Sequence, residues 1–142
     1  MLRYMLDTNI LIYTIRNRPG EVRAKFEAHH GTMCISTVTA MELIYGAQKS
    51  QAVERNMAAV EGLLARLDIL DLDLAAAQHA GEIRAALARS GTPIGPFDVM
   101  IAGHARSRGL ILVSNNTREF ERVDGLRLEN WVQSAGYSRV VA

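Results

Sequence analysis

Met1-Leu-Arg-Tyr-Met-Leu-Asp7-Thr-Asn-Ile-Leu-Ile-Tyr13 is the stretch on which the reading of the fold turns. Residues 2–6 have the character of a short buried strand, and Ile10 to Ile15 that of a first helix, with Thr8 or Asn9 available to cap it. Asp7 therefore stands where a strand hands over to a helix, with Met5-Leu6 before it and Ile10-Leu11-Ile12 after it. A carboxylate with apolar neighbours on both sides is costly to keep charged unless something compensates it. The rest of the chain has to supply that compensation.

Working outward, Asn17-Arg-Pro-Gly20 stops the first helix, and Glu21 to His30 reads as a second, polar helix ended by Gly31. Thr32 to Ser36 is a second strand. The cluster Ser36, Thr37 and Thr39 ahead of Ala40-Met-Glu-Leu-Ile-Tyr45 marks a helix start, with Glu42 in its opening turns and Gly46 expected to interrupt or end it. Val53, Met57, Val60, Leu64 and Leu67 recur at helical spacing and predict an amphipathic helix over 51–67. Asp68 to Leu74 alternates polar and apolar, a short strand running into a helix cap, and Ala76, Ala80, Ile83 and Leu87 form the stripe of the helix that follows. Gly95-Pro-Phe-Asp98 opens another helix. Leu110-Ile-Leu-Val113 is a bare apolar strand of the kind covered on both faces, Asn115-Asn-Thr117 leads into a short helical segment ending at Phe120, and Leu126-Arg-Leu128 is the last strand. Strands alternating with helices throughout predict one α/β domain over 1–142, a mainly parallel sheet with helices on both faces.

Composition narrows the function classes. The chain has 142 residues, 49% of them apolar, enough for one buried core and no linker. No run approaches the length of a membrane span, and the first residues lack the pattern of an export signal, so a cytoplasmic protein without membrane contact is expected. The lone Cys34 excludes a disulfide framework and reads as a small buried hydrophobe, and adjacent His29-His30 point different ways, which argues against zinc. A net charge of +1 does not announce a nucleic-acid binder, so any basic surface is local. Only Lys25 and Lys49 among the sixteen cationic residues are lysines, a bias that suits bidentate phosphate contacts and equally follows from genome base composition.

Three of the fifteen acids lie in apolar surroundings near a strand end or helix start: Asp7, Glu42 and Asp98. In a parallel sheet ligands gather beyond the carboxyl ends of the strands, where Asp7 and Asn115-Asn116 directly follow one. Three carboxylates meeting there would raise one another's pKa and oppose folding, and a divalent cation removes the conflict. Carboxylates, a neutral amide oxygen and water are the ligands preferred by Mg²⁺ or Mn²⁺. The expected chemistry is metal-assisted hydrolysis of a phosphodiester. Asp7 and Asp98 are the principal ligands, Glu42 serves a second ion or the attacking water, Asn116 is a neutral ligand or water-positioning group, and Thr8 and Asn9 steady Asp7.

Each residue alone has a plainer explanation. Asp7 is equally a helix cap, Glu42 can turn outward, Asp98 is a first-turn acid favoured by the helix dipole, and Asn116 is a turn residue. Asp68, Asp71 and Asp73 are closer together in sequence but read as solvated, with Asp73 a cap. His104 lies six residues after Asp98, about 120° away around a helix, and is expected at the surface or in the core rather than in the cleft. Trp131 and Tyr45 are read as core or subunit-contact residues.

The motifs Met5-Leu-Asp-Thr-Asn-Ile10, Ile35-Ser-Thr-Val-Thr-Ala-Met-Glu-Leu-Ile-Tyr-Gly46, Gly91-Thr-Pro-Ile-Gly-Pro-Phe-Asp-Val-Met-Ile-Ala-Gly-His-Ala105 and Val113-Ser-Asn-Asn-Thr-Arg-Glu-Phe-Glu-Arg-Val123, in that order, resemble the PIN-domain ribonucleases, and within them the VapC toxins of bacterial toxin–antitoxin pairs. The resemblance implies a PIN-like three-layer α/β/α sandwich and a Mg²⁺-dependent endoribonuclease, with Mn²⁺ as substitute. It implies Asp7, Glu42 and Asp98 as the acidic cluster, with Asn116 where relatives carry Asp or Asn. It further implies tRNA as substrate, initiator tRNA cut in the anticodon arm above all, a homodimer, and a VapB-like antitoxin whose tail occludes the cleft. Two other classes compete with this reading. A haloacid-dehalogenase-type phosphatase wants an Asp where Asn9 stands, and a non-catalytic module would use the acidic pocket only to receive a basic peptide.

Overall fold

The computed structural model describes residues 1–133. The elements run β1 (Tyr4–Leu6), α1 (Thr8–Arg16), α2 (Gly20–Ala28), β2 (Met33–Ser36), α3 (Thr37–Gln48), α4 (Val53–Leu64), β3 (Asp68–Leu70), α5 (Leu74–Arg89), α6 (Pro96–Ser107), β4 (Ile111–Val113), α7 (Thr117–Phe120) and β5 (Arg127–Glu129). The strands form one sheet in the order β3-β2-β1-β4-β5, and all its pairings are parallel. The chain builds outward from β1 through β2 to β3, then crosses to the other side of β1 for β4 and β5. The order reverses between β1 and β4, and at such a switch point the connections leave to opposite faces and open a crevice at the carboxyl edge.

Period-two alternation along the strands creates two cores. Tyr4, Leu6, Met33, Ile35 and Val113 face a layer that includes Ile10, Leu11, Tyr13, Phe26, Leu43 and Val60 from α1 to α4, closed by Trp131. Met5, Cys34 and Leu112 face the opposite way, onto Ile83, Leu87, Ile101, Ala102, Ala105 and Phe120 of α5, α6 and α7. Helix α3 belongs to both, with Leu43 and Ala47 in the first core and Val38 in the second. The three-layer α/β/α arrangement expected from the sequence is therefore the one present, and no helix among the described residues is long and apolar enough to cross a membrane. The last nine residues of the predicted 1–142 domain lie outside the described residues.

The structure corrects several details. Helix α1 begins at Thr8 and its cap is Asp7, not Thr8 or Asn9. Helix α3 continues through Gly46 to Gln48, because the roughly 1 kcal/mol disadvantage of an interior glycine is small beside the burial of Leu43 and Ala47 on either side. The helix predicted over 51–67 is shorter, Val53–Leu64, with Leu67 still buried beyond its end. Of the two alternatives for Tyr45 and Trp131, core or subunit contact, Trp131 takes the core, and Tyr45, 57% exposed, is left with the other. Cys34 is buried as expected, and desolvation pushes its thiol up to about 12, with Arg108 opposing and Asp68 assisting. It is a packing residue, not a nucleophile.

Helices α5 and α6 meet at Gly103, where a Cβ would stand 2.5 Å from the Ala80 backbone nitrogen and 2.6 Å from its Cα. No real Cβ tolerates backbone that close, so Gly103→Ala must push the two helices apart. We expect it to lower the free energy of unfolding by about 2 kcal/mol or more, read as a fall in the urea midpoint at unchanged slope.

Candidate active site

The site is built from Asp7 outward. Its backbone is extended (φ −82°, ψ 172°), and its N–H donates to the Val113 carbonyl at 3.0 Å, continuing the β1–β4 ladder one residue past the strand. Its Oδ1 accepts from the Ile10 amide at 3.0 Å, which starts α1. The cap reading and the site reading of Asp7 thus describe the same side chain: capping is what anchors the carboxylate, only 4% exposed, at the switch point. Thr8, expected to steady Asp7, has another task. Its hydroxyl donates to Glu42 Oε1 at 2.6 Å, a short bond to an ionisable acceptor that ties α3 to the first residue of α1.

Asp98 arrives from the opposite layer. Because α6 leads directly into β4 of a parallel sheet, it descends from the carboxyl edge, and its first turn, carrying Asp98, lies at that edge. The side chain is 5% exposed, and the N-terminal end of the helix dipole favours its charge. Gly95, the N-cap, contributes no side chain of its own. A Cβ there would touch Asp98 Oδ2 at 3.4 Å, so glycine keeps that side of the carboxylate open.

Asn116 follows β4, on the other flank of the switch point from Asp7. Its N–H donates to the buried Ser114 hydroxyl at 2.8 Å, and its side-chain Nδ2 donates to Glu119 Oε2 at 3.0 Å. Glu119 is a functional candidate that the sequence reading missed. The signal was available in the spacing, since Asn116 and Glu119 are three apart across the single turn of α7 and must lie on one side of it.

The fold therefore links Glu42 to the start of α1, sets Asp7 against β4, and delivers Asp98 to the same edge of the sheet. Among the described residues, however, no group of three acids, imidazoles or thiols is placed to hold a metal ion by itself. Glu42 is turned onto Thr8, and Asn116 is spent on Glu119. An open set of oxygens is what a hard dication needs, since Mg²⁺ retains several waters and takes only one or two carboxylates directly. The donor chemistry, two nearly dry carboxylates with further oxygen ligands and no sulfur or imidazole, fits that ion. The other acidic cluster is structural in part, with Asp73 capping α5 through the Ala76 amide at 2.9 Å. His104 is a core residue rather than a surface one. It is fully buried with Nδ1 2.8 Å from the Ser36 hydroxyl. Desolvation holds it below the ordinary imidazole value, with Asp73 and Asp71 pulling it up and Arg108 pushing it further down.

A parallel sheet with two buried carboxylates, Asp7 and Asp98, at its carboxyl edge defines a class, and residues 4–126 match the PIN domain. The chain belongs to the PIN-domain family. Within it, the similar proteins are of the VapC type. Over 131 residues, 92% of this chain and 99% of the other, it is 67% identical to a Shigella flexneri protein named tRNA(fMet)-specific endonuclease VapC. A Salmonella typhimurium protein of the same name is 60% identical over the same shares. Among solved structures, the DNA-bound VapBC complex of Salmonella typhimurium contains a chain that superposes with a TM-score of 0.89 at 60% identity, covering 93% of this chain and all of that one.

Because Asn offers the same capping oxygen as Asp, Asp7→Asn is expected to leave the urea midpoint of unfolding close to that of the unsubstituted protein. Asp7→Ala, which removes the acceptor from the Ile10 amide, is expected to lose about 1 kcal/mol in the same titration. The pair separates what this carboxylate does for the helix from what it does for chemistry.

Proposed function

We propose that this protein is the toxin of a toxin–antitoxin pair, a metal-dependent endoribonuclease that hydrolyses phosphodiester bonds of tRNA and so inhibits translation. The observation that carries the reading is the delivery of two nearly dry carboxylates, Asp7 and Asp98, from opposite helical layers to the switch-point edge, with Glu42 tied to the α1 start beside Asp7. The relatives named tRNA(fMet)-specific endonuclease support initiator tRNA as substrate, and the anticodon arm is the segment we assign for cleavage.

In this reading Asp7 and Asp98 hold Mg²⁺, or Mn²⁺ in its place, and Glu42 completes the set or orients the attacking water. A bound ion of this kind lowers the pKa of water and stabilises the charge that builds on the phosphoryl oxygens. The chain's own part is placement. The Ile10 amide and the Val113 carbonyl fix Asp7, Thr8 orients Glu42, and the first turn of α6 sets Asp98 at the carboxyl edge. Asn116, aligned with Glu119, lies on the β4 flank, where it positions water or a phosphate oxygen.

The solved VapBC complexes support a VapB-like antitoxin as partner, and we extend this to a homodimer that such a partner joins. Exposed Met41, Ile44 and Tyr45 on α3, with Leu74 and Phe97 at the starts of α5 and α6, supply apolar area for association. An antitoxin cation entering the acidic cleft would compete with the metal ion.

The test is cleavage of initiator tRNA followed on a gel. Asp98→Asn is expected to fold normally and to lose about 100-fold or more of the rate. EDTA is expected to abolish cleavage, and added Mg²⁺ or Mn²⁺ to restore it. Activity that survives both the chelator and the substitution would show that the acids are not the catalytic centre, and a protein that binds its antitoxin yet leaves every RNA intact would be a binding module.

A further inference from the structure

His104 is more than filling. The side chain is fully buried, its Nδ1 lies 2.8 Å from Ser36 Oγ, and its Nε2 is buried with no hydrogen-bond partner among the described residues. A buried polar atom left unsatisfied costs about 1–3 kcal/mol, so a leucine of similar shape would serve a pure packing role better. The partner in the bond is equally placed. Ser36 ends β2, is fully buried, and caps α3 by accepting from the Val38 amide at 3.2 Å.

The bond therefore joins the start of α3 to the last turns of α6. His104 stands six residues beyond Asp98 on α6, and Glu42 stands six residues beyond Ser36 on α3. At 1.5 Å per residue each acid lies about 9 Å from the clasp. A 10° rocking of either helix about that point would move its carboxylate by roughly 1.6 Å on this geometry, beyond the roughly 0.5 Å that a preorganised site tolerates. Elsewhere α6 is held against α5 by the close approach at Gly103, and Val38 of α3 shares a core with Ile101, Ala102 and Ala105 of α6, non-directional packing to which the hydrogen bond adds a fixed direction.

We propose that the His104–Ser36 hydrogen bond is a positioning device that sets the separation of Asp98 and Glu42 and thereby the affinity of the acidic cleft for its dication. The inference rests on the metal-site reading given above. His104 touches neither substrate nor metal in it and acts only through the two helices. The groups that bear on the imidazole are Asp71 and Asp73, which follow β3, and Arg108 at the end of α6. Arg108 lies at the far end of α6 from Asp98, and Asp71 and Asp73 follow β3 at the carboxyl edge of the sheet.

The experiment compares His104→Leu, which keeps the bulk and loses the bond, with His104→Asn, whose amide places a hydrogen-bonding atom where Nδ1 stood. Mn²⁺ binding is followed by electron paramagnetic resonance of the free ion, and kcat and KM are measured separately on initiator tRNA. His104→Leu is expected to weaken Mn²⁺ binding and lower kcat about tenfold with KM for the RNA little changed, and His104→Asn to restore most of both losses. Ser36→Ala is expected to weaken Mn²⁺ binding to a similar degree, and the double variant His104→Leu/Ser36→Ala no further, because one bond is broken only once. Ser36→Ala alone, which leaves His104 in place, decides the matter if His104→Leu fails to fold, and unaltered Mn²⁺ affinity in it overturns the proposal. A His104→Leu protein with unaltered Mn²⁺ affinity, a His104→Asn protein no better than it, or strictly additive losses in the double variant would overturn the proposal. If the unsubstituted protein binds no Mn²⁺ and Asp98→Asn cleaves at full rate, the site reading itself falls and this inference with it. Normal behaviour of those two controls confines any failure to the clasp.

Discussion

The hydrogen bond from the Asp7 amide to the Val113 carbonyl is the contact on which the rest of the molecule depends. It is the last rung of the ladder joining the first strand to the fourth, and it is made by a residue already leaving the sheet. One side-chain oxygen then begins the first helix. A buried acid is thereby held from both sides of its own peptide unit at the seam where the two halves of the sheet diverge. The desolvation that such a position imposes is the reason an ion, or a cationic side chain of a partner, has something to gain by entering.

The two cores explain how buried acids of separate layers reach one edge of the sheet. Asp7 and Glu42 belong with the layer built on α1 to α4 and Asp98 with the layer of α5 to α7, and Asp7 and Asp98 both stand at the carboxyl edge of the sheet. Helix α3 is the exception that spans both layers. It carries Glu42, receives the Thr8 hydroxyl from one side and, through Ser36, meets His104 from the other. Small residues on α6 make this possible, since Gly103 lets α5 approach to a distance that any side chain would forbid.

Much of this was legible in the sequence, for identifiable reasons. The apolar runs around Met5 and Leu112 could only be strands covered on both faces, and the alternation of elements left few arrangements besides a parallel sheet. Asp7 and Asp98 stand out because each is a charge in an apolar context beside an element boundary, and both are buried as that context implies. What was missed is tertiary. Nothing local says that the Thr8 hydroxyl would reach 34 residues along the chain to Glu42 rather than back to Asp7. Nor does local pattern say that His104 would lie fully buried, because a histidine between small residues suits a surface or a core equally well. Glu119 reads as solvated because it stands among the charges of Arg118 and Glu121, although its spacing from Asn116 places the two side by side. Gly46 misled because a glycine's weak local preference was set against packing that only the assembled α3 reveals.

The location of the cleft on the boundary between two separately packed halves has a thermodynamic corollary. A ligand gripped by residues from both sides stitches them, and whatever binds the folded form alone adds its binding free energy to the cohesion of the whole. Occupancy and melting temperature are then two views of one equilibrium. Metal, RNA or an inhibitory peptide would each leave its signature in how hard the chain is to unfold, even in a variant that has lost all turnover.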